Sequence, residues 1–116
     1  MIVKVNIFMI FIYIFTIYFF LLALIFIFQR SLIYFPLKET ISKSFYENTH
    51  LKLININTSD GLNLKSLYKK SEANINKTII VFHGNAGHIG HRVKKFKPFI
   101  DKGYGLLLLE YRGYGE

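Results

Sequence analysis

Residues 7–28, IFMIFIYIFTIYFFLLALIFIF, form an unbroken apolar run with no charged residue and a single small hydroxyl, Thr16. As an α-helix the run spans about 33 Å, enough for a hydrocarbon core of roughly 30 Å. Apolar residues cover every side of it, so it has no stripe to turn toward a small core. A buried helix of this kind would need a large protein around it. A secretory signal peptide would have a shorter apolar stretch and a small-x-small cleavage site, whereas Gln29, Arg30, Ser31 and Leu32 follow here. The pattern therefore predicts a single-pass transmembrane helix within residues 1–28, with the lipid bilayer as its partner. Tyr34 and Phe35 fall near its far interface, where aromatic rings are favoured. Lys4 and the amino terminus flank one end, and Arg30, Lys38 and Lys43 the other. That balance leans slightly toward a cytoplasmic C-terminal part.

Beyond the run the pattern changes. Pro36 biases Phe35 toward extended backbone, so residues 29–50 are expected to be a juxtamembrane connector with short irregular structure. Residues 51–57 and 62–69 flank Thr58, Ser59, Asp60 and Gly61, and Leu62, Leu64, Ser66 and Tyr68 alternate with Asn63, Lys65 and Leu67. Period-two alternation around Asp-Gly predicts a β-hairpin, with Asp60 a turn residue rather than a catalytic carboxylate. Residues 71–76 are polar and read as a loop. Residues 78–82, Thr-Ile-Ile-Val-Phe, are a continuous apolar run that suits a strand buried on both faces. Ile89, Val93, Phe96 and Ile100 then mark one face of a helix, in which Pro98 is expected to cause a kink or break. A second buried strand follows over residues 104–109. Strand, helix, strand in this order predicts a parallel pair.

Composition narrows the chemistry. Cysteine is absent, which excludes disulfides, thiolate zinc sites and a cysteine nucleophile. Of 15 basic residues every one but Lys4 lies after residue 28, as do all seven acids, so the formal charge of +8 belongs to the polar part. The charge is spread along the chain, and Arg92, Lys94, Lys95 and Lys97 read as a solvated helix face near anionic headgroups; no nucleic-acid partner is expected. His83, His88 and His91 lack nearby acidic co-ligands, so no metal is expected. Gly84, Gly87 and Gly90 have neither the dinucleotide nor the Walker spacing, so no cofactor is expected.

Three motifs, in order, carry a resemblance: Gln29-Arg30-Ser31-Leu32-Ile33-Tyr34-Phe35-Pro36, then HGNAGHIGHR from His83, then Glu110-Tyr111-Arg112-Gly113-Tyr114-Gly115. Together they resemble the N-terminal part of the α/β-hydrolase superfamily, most closely its membrane-anchored serine hydrolases. The resemblance implies an α/β fold in which a transmembrane helix precedes the first strands and first helix of an incomplete hydrolase sheet over residues 51–116. It implies that His83, Gly84, Asn85, Ala86 and Gly87 form the oxyanion-hole loop, with the Asn85 backbone N–H as donor. Gly84 would let that loop turn sharply. Glu110 to Gly115 would line the pocket, Glu110 and Arg112 being expected to form a local ion pair.

The serine hydrolases of this superfamily need G-x-S-x-G, then an acid, then a histidine. Ser31, Ser42, Ser44, Ser59, Ser66 and Ser71 all precede the oxyanion loop, and none lies in that motif. This predicts a fragment of a membrane-anchored ester-, thioester- or amide-cleaving hydrolase that is inactive alone, with the missing C-terminal half as a possible partner. The alternative is a non-catalytic membrane-anchored binding module.

Overall fold

The computed structural model describes residues 6–116; the Lys4 flank lies outside them. The chain divides into two compact units, Met1–Tyr34 and Phe35–Glu116.

The first unit is helix α1, Ile7–Ile33, none of whose residues is buried. Asn6 caps it by accepting the Phe8 N–H at 3.1 Å. Its polar side chains turn back on its own carbonyls: Thr16 donates to Ile12 O at 2.9 Å, Gln29 to Phe26 O at 2.9 Å and Ser31 to Phe28 O at 2.8 Å. A segment in hydrocarbon must satisfy its polar groups internally in this way. The helix is long and apolar enough to cross a membrane. It runs past residue 28 into the expected connector and stops at Tyr34, which is extended at φ −104° and ψ 124°. The restriction that Pro36 places on Phe35 accounts for the stop.

The second unit is built on a four-stranded sheet. A short strand β1, Phe35–Pro36, and a 3₁₀ turn, Lys43–Phe45, precede the hairpin strands β2, Lys52–Asn57, and β3, Asn63–Lys69. Strand β4, Thr78–Phe82, and a short β5, Ala86–Gly87, lead through a 3₁₀ turn, Ile89–Arg92, into helix α2, Val93–Asp101, and strand β6, Gly105–Leu109. The sheet order is β2-β3-β6-β4, antiparallel except for the parallel pair β4 and β6. The predicted hairpin and parallel pair are both present. Strands β1 and β5 form a separate two-stranded parallel pair that the pattern did not reveal.

Register explains the core. Leu67 and Val81 both pair with Leu108, so the three share one sheet face, and Leu53 joins them opposite Leu67. Ile89, Val93 and Ile100 complete the core with Ile41, Leu51 and Leu106, and Phe96 packs against it. The predicted helix face is thus the buried one. Leu67 is fully buried on that sheet face, between Leu53 and Leu108.

Two expectations are corrected. Strand β4 is not buried on both faces, since Ile80 and Phe82 are 57% and 63% exposed. They point to the face opposite the helix, where the described residues supply no covering layer. Helix α2 continues unbroken through Pro98. Pro98 is exposed, while Phe96 and the buried Ile100 anchor the backbone on either side of it.

Gly105 begins β6 where a Cβ would meet the Thr78 hydroxyl and lie 2.8 Å from the Ser71 backbone nitrogen, whereas a Cβ at Gly84 would meet nothing within 4 Å. Gly105→Ala is expected to destabilise the second unit by about 1–3 kcal/mol through overpacking, with Gly84→Ala much milder. Thermal unfolding of the full chain in mild detergent, followed by circular dichroism, checks the ranking.

Candidate functional site

Strands β4 and β6 run side by side with Phe82 paired to Leu109, so the residues that follow them, His83 and Glu110, emerge as neighbours. Both are buried. His83 Nε2 lies 2.7 Å from Glu110 Oε1, close but without the alignment of a hydrogen bond. The other ring nitrogen, Nδ1, lies 2.8 Å from Gly84 O. A carbonyl can only accept, so Nδ1 carries the proton of that bond.

The second Glu110 oxygen, Oε2, accepts the Ile89 N–H at 3.1 Å. One buried carboxylate therefore holds both ends of the loop between β4 and the 3₁₀ turn. Gly115 leaves room for it, since a Cβ there would lie 2.9 Å from Glu110 Oε2. The loop is tied elsewhere too. Asn85 O accepts from Phe35 N at 2.8 Å and from the Tyr114 hydroxyl at 3.0 Å, and Ala86 O accepts from Arg92 Nη2 at 2.7 Å. The Tyr111 ring packs over His83 at 4.3 Å between centroids.

The two groups of residues singled out in the sequence, 83–87 and 110–115, are thus brought together, by Glu110 on His83 and by Tyr114 on Asn85. Arg112, Gly113, Tyr114 and Gly115 line a small cavity of about 240 Å³ with Lys38, Leu62 and Leu64, which residues 83–87 do not line. Glu110 is buried behind the loop.

The expected Glu110–Arg112 ion pair does not form. Arg112 reaches across to Asp60 at 2.6 Å, on the surface. The Asp60 carboxyl is held below the usual carboxylate range by the Thr58 hydroxyl and then by Arg112. The loop bends at Asn85, next to Gly84, and its left-handed residue is Gly87, at φ +78° with His91 Nδ1 2.9 Å from a Cβ placed there. His88 is buried, and its Nδ1 accepts the Gly90 N–H at 3.1 Å. Burial, and then His91, push the His88 pKa below its ordinary 6.5. The unfolded chain takes up that proton first, so acidification below about pH 6.5 works against folding. Among the described residues no group of three or more His, Cys, Asp or Glu could hold a metal ion.

The chain is similar to known proteins. The chain is 35% identical over 100 residues to the α/β-hydrolase domain-containing protein WAV2 of Arabidopsis thaliana, a match covering 80% of this chain and 32% of that protein. It is 30% identical over 103 residues to protein bem46 of Schizosaccharomyces pombe, covering 82% and 34%. The chain belongs to the α/β-hydrolase superfamily. A shorter match, 39% identical over 51 residues and covering 42% of this chain and 13% of the relative, is to the lysophosphatidylserine lipase ABHD12 of Danio rerio. Among solved structures, the Pyrococcus furiosus esterase Pf2001 has the same fold over 72% of this chain and 33% of its own, with a TM-score of 0.54 at 19% identity. No protein-family model matches the chain. The chain spans about a third of the length of the two longer-matched curated relatives.

The buried pair was legible in principle. Two parallel neighbours about 4.8 Å apart set the residues just past their ends side by side, and a histidine and a glutamate at those two positions are a pairing signal. Glu110→Ala leaves His83 and the Ile89 N–H without their partner and is expected to cost about 3–5 kcal/mol. Arg112→Ala, losing only a surface pair, should move the unfolding midpoint far less. Chemical denaturation of the full chain in detergent measures both.

Proposed function

We propose that this chain supplies the oxyanion-hole loop of a membrane-anchored serine hydrolase whose nucleophile, acid and base belong to the remaining portion of the fold. The supporting observation is the bond between His83 Nδ1 and Gly84 O. Gly84 O and Asn85 N belong to one trans peptide, so the carbonyl and the N–H point in opposite directions. Holding the carbonyl fixes the direction of the Asn85 N–H. Glu110 in turn holds His83, so the donor is set before any substrate arrives. An oxyanion donor needs this preorganisation, and losing one costs on the order of 3 kcal/mol in the barrier.

The residues past the loop, Tyr111 to Gly115, form the neighbouring wall, and Tyr114 fixes Asn85 through its carbonyl. Helix α1 provides the anchor in the bilayer, with a lean toward a cytoplasmic second unit. An acyl ester, thioester or amide is the substrate class. That a lysophosphatidylserine lipase is among the similar proteins favours an ester. No resident cofactor or metal enters this reading.

The chain is expected to stay with membranes through a carbonate wash and, purified, to resist a fluorophosphonate probe. Co-expression with the unmatched two-thirds of bem46 should restore labelling, on a serine of the added polypeptide. Stoichiometric labelling of any serine of this chain alone would contradict the assignment of roles, and release by carbonate would contradict the anchor.

A further inference from the structure

A second cavity lies away from the oxyanion loop. Its volume is about 420 Å³, within the ~300–1000 Å³ of small-molecule sites. It runs between the 3₁₀ turn at Lys43–Phe45 and helix α2. Phe45 and Val93 provide an apolar lining, Gly90 an open floor, and Lys94, Lys97 and His91 the positive side. A Cβ at Gly90 would lie 3.0 Å from Phe45 Cδ2, so glycine allows that ring to sit edge-on against His88 and His91.

No acidic residue lines the groove. Lys97 is already neutralised by Asp101 at 2.7 Å, but Lys94 forms no ion pair among the described residues. An unpaired ammonium beside an apolar trough complements a molecule with an anionic head and a hydrocarbon chain. An inorganic anion would leave the trough wet, and a neutral lipid would leave the charge unmatched.

We propose that this groove binds an anionic membrane lipid, its headgroup on Lys94 and its acyl chain along Phe45 and Val93. The proposal rests on the membrane placement of α1 given above. The stretch from Ile33 to Ser44 reaches at most about 40 Å, so a bilayer around α1 lies within tether range of the groove. Anionic headgroups then attract the basic face of α2 over roughly a Debye length. Bound this way, lipid would couple the second unit to the composition of the leaflet it faces.

The chain has no Trp, so one placed at exposed Asn48 on the groove rim reports on the groove alone. Full-length Asn48→Trp chain is incorporated into phosphatidylcholine nanodiscs. In these, brominated acyl chains are carried either by phosphatidylglycerol or, at equal mole fraction, by phosphatidylcholine. Quenching should be stronger with the anionic carrier and should survive added glycerol phosphate. Lys94→Glu should raise the half-quenching mole fraction of that carrier about fivefold or more. Lys95→Glu, on the same helix but outside the groove, should leave it nearly unchanged. Equal quenching by both carriers, equal loss in the two lysine variants, or reversal by glycerol phosphate would overturn the proposal. Ser44→Trp, on the opposite lip, serves as a second reporter and must give the same ranking. Failure to incorporate into nanodiscs would instead strike the membrane placement itself, and the groove's lipid with it.

Discussion

The contact between His83 and Glu110 is the constraint on which the loop architecture depends. It costs desolvation to bury a carboxylate and an imidazole together, and the interaction is favourable only when the remaining lone pairs and protons find partners. Here they do: Gly84 O takes the other ring nitrogen, and the Ile89 N–H takes the other carboxylate oxygen. Strand pairing sets the geometry, because Phe82 and Leu109 are in register and deliver the two side chains to one place. A slip of one residue in that register would send the two groups to opposite faces. The loop's shape is therefore a property of the sheet, transmitted through two side chains.

The sheet itself is half covered. One face packs under Ile89, Val93 and Ile100, while Ile80 and Phe82 on the other stay open to solvent in the described residues. An open apolar edge strand invites pairing with another chain. The curated relatives are about three times as long as the matched region, and a further layer in such proteins is what an α/β sheet requires. The short pair of β1 with β5 adds a different kind of support. It stitches the segment after α1 to the loop, with Phe35 N on Asn85 O.

Much of this was readable along the chain. The apolar run of α1, the hairpin about Asp60 and Gly61, and the parallel pair all follow from periodicity and turn chemistry. Periodicity could not say which face of an apolar strand is covered, since that depends on layers elsewhere; hence the misreading of β4. No break occurs at Pro98, where Phe96 and Ile100 pack on either side of it. At the site, the two motif groups do meet in space, but local reasoning paired Glu110 with Arg112, two positions away. The actual partners are set by strand register and by the return of Asp60 in space. Such long-range partners leave no mark in a local window.

The central claim is that the His83 ring, held by Glu110, fixes the Gly84–Asn85 peptide. Nitrogen NMR of the full chain, labelled at histidine nitrogen and at the Gly84 carbonyl carbon in micelles, tests it directly. The account predicts a proton on His83 Nδ1 with a measurable coupling across the hydrogen bond to the Gly84 carbonyl, and loss of that coupling in Glu110→Gln. An unprotonated Nδ1, or a coupling indifferent to the residue at position 110, would contradict it.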